Sequence, residues 1–125
     1  VIETESFDVE ILLVGVDKSG AHIYEIFDPG TSECFDKIGF HAIGSGLPHA
    51  ISTFIDYNYT PSIDLKRALY ITYEAKKRAE KAPGVGKAID MAIIDKERIT
   101  YLTNEDLSEL DEIYREKIKS EEEKV

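Results

Sequence analysis

The sequence predicts an α+β fold, with strand-like segments first, then two consecutive helix-like segments, then a hairpin and a final helix. Three observations carry this reading. Residues 9–16 (VEILLVGV) are a continuous apolar run and residues 21–27 (AHIYEIF) alternate, with the turn residues Asp17, Lys18, Ser19 and Gly20 between them. Residues 62–81 instead repeat their apolar positions at helical spacing. Between the two patterns stands GFHAIGSGLPHAIS, where an extended run ends at Gly44-Ser45-Gly46 and a helix begins at once.

The first run is apolar at nearly every position, which predicts a strand buried on both faces. Asp28, Pro29 and Gly30 mark a second turn, and residues 34–43 read as a third extended segment, so three antiparallel strands are expected before the Gly-Ser-Gly turn. A helix is expected from Leu47 or Pro48 to about Tyr57, since proline suits a first turn. Tyr59, Thr60, Pro61 and Ser62 break it, and Ser62 is the expected N-cap of a longer helix to about Lys81. There Leu65, Ala68, Leu69, Thr72, Ala75, Lys76 and Ala79 share a face with core spacing. Ala82, Pro83, Gly84, Val85 and Gly86 end it. Residues 88–95 (AIDMAIID) and 98–102 (RITYL) predict a second hairpin around Lys96 and Glu97. Thr103 with Asp106 then opens a last helix carrying Leu107, Leu110, Ile113, Tyr114 and Ile118 on one side. The charged residues 119–125 predict a frayed tail.

A length of 125 residues and a mass of 14.1 kDa predict one domain over residues 1–125, large enough to bury a core. The net charge of -10 and a pI near 4.7 argue against a nucleic-acid surface, which needs clustered Lys and Arg. No apolar run is long enough to span a bilayer, and no signal-peptide pattern opens the chain. The lone Cys34 rules out an intramolecular disulfide and fits a reducing cytoplasm, while the Glu and Lys content hints at a thermophile. The chain opens on Val1, with VIETESFDVE leading straight into the first strand. Either its start has been processed or it is part of a longer polypeptide.

The Gly-Ser-Gly turn is the first candidate for chemistry. Glycine reaches backbone angles that other residues avoid, and Ser45 is left where the first helical N–H groups point outward, a place for a hydroxyl or an anion. Equally, Ser45 could do no more than cap the following helix. The turn is not a nucleophile elbow, because Ile43 and Leu47 stand where glycines would be needed, nor a dinucleotide fingerprint, because His49 replaces the third glycine. His22, His41 and His49 lack ligand spacing, and neither a metal site nor a cofactor is expected. Asp90 could be a buried acid or a structural carboxylate facing solvent. Tyr57 and Tyr59 could form an interface patch or cover a helix end. Lys76, Lys77 and Arg78 read as the solvated side of a helix. The loop at Pro83, Gly84, Val85 and Gly86 could offer carbonyls to a cation or simply connect.

Taken in order, ILLVGVDKSGAHIYEI, FHAIGSGLPHAISTFID, SIDLKRALYITYEAKKRAE and AIDMAIIDKERITYL with a terminal helix resemble the C-terminal half of proteasome-type subunits, members of the N-terminal-nucleophile hydrolases. The resemblance runs from about Asp8 to Lys117. It implies a partial αββα sandwich, with antiparallel sheets between helical layers, two central helices and a C-terminal helix, and assembly of subunits into rings. In the family the first residue of the mature chain, usually Thr, attacks a carbonyl with its own α-amino group as base. Ser45 matches the serine of the family's Gly-Ser-Gly turn, a supporting hydroxyl. Ala82 and Val85 fall where the family's loop has Asp and Ser, and Val1 is no nucleophile, so the resemblance implies that this chain by itself is not a competent hydrolase. Non-catalytic ring-forming subunits share the turn and the closing hairpin, and an assembly or binding domain is the alternative. If the half stands alone, the strand at residues 9–16 lacks neighbours, and self-association with like subunits is expected.

Overall fold

The computed structural model describes residues 9–124; Val1, the residues up to 8, and Val125 lie outside the described part. β1 (Glu10–Asp17) and β2 (Gly20–Phe27) pair antiparallel with Leu13 opposite Tyr24, joined by the turn that the sequence marks at Asp17 to Gly20. β3 (Thr31–Cys34) adds to the other side of β2 with Tyr24 opposite Cys34, giving the order β1-β2-β3. The expected third segment at residues 34–43 is therefore displaced. The ladder begins at Thr31, ends at Cys34, and gives way to a turn and irregular chain. The cause is local. Phe35 still donates to the Ile23 carbonyl at 2.8 Å, but the Asp36 carboxylate takes the Ile23 N–H at 2.8 Å, and Gly39, at φ +87°, donates back to Phe35 at 2.8 Å. A side chain has replaced the next rung.

α1 (Leu47–Asp56) and α2 (Leu65–Ala79) pack side by side, followed by the hairpin of β4 (Ala92–Ile94) and β5 (Ile99–Tyr101) and by α3 (Asn104–Glu123). The architecture is thus α+β, with two antiparallel sheets and three helices among the described residues. The second hairpin turns at Asp95, whose carboxylate accepts the N–H groups of Glu97 and Arg98. Thr103 and Asp106 cap α3 reciprocally, each side chain bonding the other's backbone N–H, as their spacing predicts. α2 starts later than expected. Asp64 is its N-cap and accepts the Arg67 N–H at 2.9 Å, whereas Ser62 pairs with the Thr60 hydroxyl. Both residues are good caps; the break at Pro61 leaves the second one in position.

The core lies between α1 and α2. Ala50 and Phe54 meet Ile71, Ala75 and Ala79, and Phe40, Ala42, Tyr57, Tyr59 and Ile63 close around them. Phe40 stacks on Phe54, and Tyr59 packs edge-on against both. Two expectations of burial fail here. β1 is not covered on both faces: Ile11 and Leu13, which share a face, are 49% and 55% exposed, because no described element is layered over that face. On α2 the buried arc is Ile71, Tyr73, Glu74, Ala75 and Ala79, while Leu65 and Thr72 are exposed. The helix has a neighbour on each of two sides, so its buried arc is rotated toward α3. Tyr73 donates to Asp111 on α3 at 2.7 Å, and Asp111 also binds Arg115. On α3 itself the half-buried stripe passes through Leu107, Leu110, Tyr114 and Ile118 but leaves Ile113 at 50% exposure.

Candidate functional site

The two glycines flanking Ser45 are required for different reasons. Gly44 sits at φ +100°, where a side chain is strained whatever the space around it. Gly46 has an ordinary φ of -88°, but a Cβ there would stand 2.6 Å from the Ala79 Cβ and 2.9 Å from the Ala79 carbonyl oxygen. The turn is therefore pinned against the end of α2. Between the glycines Ser45 is exposed, and its hydroxyl makes no hydrogen bond to any described residue. It does not cap α1, whose N-cap Gly46 receives no side-chain bond. The capping alternative is set aside on that geometry.

Ser45 stands on a cleft of about 510 Å³. It is lined by Ala50, Phe54, Ala75 and Ala79 of the two helices, by Leu12, His41 and Ala42, and by Gly84 and Val85. Thr72 and Lys76 of α2 complete the lining. Their polar groups are already engaged: Thr72 donates to the Ala68 carbonyl at 2.7 Å, and Lys76 reaches Glu80 at 3.2 Å and the Gly86 carbonyl at 2.8 Å. Lys76 thus holds the loop at Pro83 to Gly86 against the cleft, so one of that loop's carbonyls has a protein cation as its partner. Val85 is half-buried and lines the cleft, and Ala82 is buried outside that lining, so the side chain this loop presents to the cleft is apolar. The arrangement offers one free hydroxyl beside an apolar hollow. No base is bonded to that hydroxyl, so Ser45 can donate or accept at a bound group but is not itself activated as a nucleophile.

The remaining candidates are scattered. Asp90 is exposed, which removes the buried-acid reading. His22 lies between Asp17 and Asp36, His41 stacks on Phe35 with ring centroids 3.7 Å apart, and His49 is exposed on α1. Among the described residues no group of three or more His, Cys, Asp and Glu side chains could hold a metal ion. The Lys76, Lys77 and Arg78 run is paired rather than free, with Lys77 on Glu80 and Arg78 on Asp56 and Glu74.

Sequence reasoning missed Glu74, the most deeply buried charge in the described chain. Its side chain is 1% exposed and collects the Tyr57 and Tyr70 hydroxyls at 2.8 Å each, the Arg78 guanidinium at 2.8 Å, and the Lys117 ammonium at 2.8 and 3.1 Å. Lys117 also donates to the Tyr57 hydroxyl and lies over its ring. Burial pushes the Glu74 carboxyl up, but the bonds from Lys117, Tyr57 and Tyr70 outweigh it and hold the group below the ordinary value. Lys117 is held above its ordinary value: burial lowers it, and Glu74 and Tyr57 more than compensate. With every donor satisfied inside the protein, this centre joins α1, α2 and α3 rather than offering itself to a substrate. Its trace in the sequence is Tyr70, Glu74 and Arg78 at successive i, i+4 positions.

No helix among the described residues is long and apolar enough to cross a membrane. No family profile matches the chain. Curated relatives do. It is 32% identical over 102 residues to proteasome subunit beta 1 of Korarchaeum cryptofilum, spanning 81% of this chain and 48% of that protein. It is 35% identical over 100 residues to a proteasome subunit beta of Ferroglobus placidus, and 33% identical over 100 residues to one of Methanosarcina mazei. Each of these two matches spans 79% of this chain and 46% of the relative. The chain spans about half the length of the curated relatives it matches.

Proposed function

Since the chain is homologous to archaeal proteasome β subunits and carries part of their fold, we propose that it is a portion of an N-terminal-nucleophile hydrolase subunit whose intact form cleaves peptide or amide bonds. In this reading the nucleophile is a processed N-terminal Thr, Ser or Cys of the parent. The present chain lacks it and is catalytically incompetent by itself. Ser45 serves as the supporting hydroxyl, near the nucleophile's amino group, where a proton must be taken up and returned. The observation that carries the reading is the unbonded Ser45 hydroxyl, held between two structurally required glycines at the edge of an apolar cleft. Acidic composition and a lone, exposed cysteine support a cytoplasmic setting.

The test begins with the intact mass and N-terminal sequence of the native protein from its source cells. A longer chain beginning with Thr, Ser or Cys supports the reading, and Ser45→Ala in that chain should then lower kcat for peptide hydrolysis with KM little changed. A native chain of the same length as this one, without such a residue, overturns it.

The second reading is a non-catalytic assembly domain on the same fold. It is favoured by the apolar Val85 at the cleft, by the apolar Ala82 nearby in the same loop, and by the exposed apolar side chains of β1. We propose that this edge supports self-association or ring assembly with like subunits, because an unpaired apolar strand is a template for another. Sedimentation of the chain should show oligomers that Leu13→Lys and Ile11→Lys weaken. A monomer at all concentrations would remove this part of the proposal.

A further inference from the structure

β2 meets residues 35–43, the segment that runs into the Gly-Ser-Gly turn, at two histidine–carboxylate contacts of opposite polarity, of which one is a hydrogen bond. His22 on β2 meets Asp36 of the segment, Nδ1 to Oδ2 at 2.6 Å. Glu25 on β2 faces His41 of the segment, Oε1 3.3 Å from Nε2, with the two side chains only 16% and 11% exposed, but the geometry is not that of a hydrogen bond and the buried Nε2 has no hydrogen-bond partner among the described residues. His22 and Glu25 are three residues apart on a strand, so they point to opposite faces, and the bond that ties the segment to β2 is the one on the His22 face. On its other nitrogen, Nε2, His22 reaches Asp17 Oδ1 and Ser19 Oγ, each at 2.9 Å, and so ties in the β1–β2 turn as well.

The distances from Ser19 through His22 to Asp36 are those of a Ser-His-Asp triad, but the electronics are not. Asp17 lies within hydrogen-bond distance of both His22 Nε2 and the Ser19 hydroxyl, which donates to it at 2.7 Å. A carboxylate on each ring nitrogen favours the imidazolium, which has no lone pair with which to act as a base. The titratable groups around the ring are Asp17 from β1, Tyr24 from β2, Cys34 from β3 and Asp36 from the segment. Only the two aspartates carry charge against it.

We propose that His22 is a pH-sensitive latch, which as imidazolium locks the β1–β2 hairpin onto residues 35–43 and on deprotonation loosens the segment that carries His41 and leads to Ser45. The bonds to Asp36 and Asp17 hold the imidazole above its ordinary 6.5. A group raised on folding contributes fully below its unfolded value and loses that contribution as pH rises through the folded value. The latch is therefore closed below His22's own midpoint, which lies above 6.5, and opens as pH rises through it.

The experiment is an NMR titration of the whole chain, with His22 assigned by comparison with His22→Gln. His22 should titrate above 6.5. The exchange protection factor of the Ile23 amide, corrected for base catalysis, should fall severalfold across the same midpoint. The Ser45 amide shift should move with it. Both responses should be absent in His22→Gln, while Asp36→Asn, which keeps an acceptor but not the charge, should lower the midpoint. A midpoint at or below 6.5, a pH response that survives in His22→Gln, or a Ser45 amide that ignores the transition would each overturn the latch.

Discussion

Removing the Glu74 carboxylate should destabilise this protein more than any single truncation of its small core residues. Glu74→Ala strips the acceptor from two tyrosine hydroxyls and leaves Lys117 and Arg78 without their buried counter-charge. Breaking a buried ion pair from one side costs about 3–5 kcal/mol. Lys117 and Arg78 are 31% and 30% exposed and can recover water, which places the expectation near the lower end, about 3 kcal/mol. Glu74→Gln keeps the shape and one acceptor oxygen and should cost about 1.5–3 kcal/mol, the worth of a bond to a charged group. Against a domain stability of about 5–15 kcal/mol either loss is large. Urea unfolding followed by circular dichroism would read it as a lower midpoint with an unchanged slope. The acid limb supplies a second check. Glu74 is held below its ordinary 4.5, so its contribution is complete above that value and is lost as pH falls through the lower folded one. That part of the acid destabilisation should vanish in Glu74→Gln. A Glu74→Ala cost under about 1 kcal/mol, the scale of an exposed pair, would refute the reasoning that this carboxylate is desolvated and shared by three helices.

The turn and its neighbours give further tests. Gly46→Ala should cost about 1–3 kcal/mol through its clash with Ala79, and trimming Ala79 to glycine should recover part of that, whereas no partner change rescues Gly44→Ala. Ser45→Ala should change the unfolding free energy by no more than about 0.5 kcal/mol, since the hydroxyl bonds no described residue; a larger loss would mean a structural role. Asp64→Ala should cost about 1 kcal/mol and Ser62→Ala nearly nothing, measured by the same denaturation, because only Asp64 caps α2. Raising pH through and beyond 10.5 should erode the Lys117 contribution, so Lys117→Met should flatten the alkaline limb of the stability curve.

The fold class, both hairpins, and the capped start of α3 were legible in the sequence because each rests on neighbours in the chain. Alternation, turn residues and the Thr103–Asp106 spacing act over a few positions and leave the same imprint wherever they occur. Gly44 was legible for the same reason, its need being a local backbone angle. Gly46 was not, since the contact that demands it comes from Ala79, far along the chain. Glu74 was hidden behind its charge. Hydropathy marks it as a surface residue, and only the meeting of Tyr57, Tyr70 and Lys117 around it makes burial affordable. The apolar run of β1 predicted contacts on both faces, and the described chain leaves the face of Ile11 and Leu13 uncovered. Sequence alone determined the order of strands and helices and most of the turns between them, but not where the third strand lies or which residue caps α2. Tertiary structure decided which charges are buried, which glycine is held by packing, and that Ser45 is left with a free hydroxyl, because each depends on residues that meet only when α1, α2 and α3 close together.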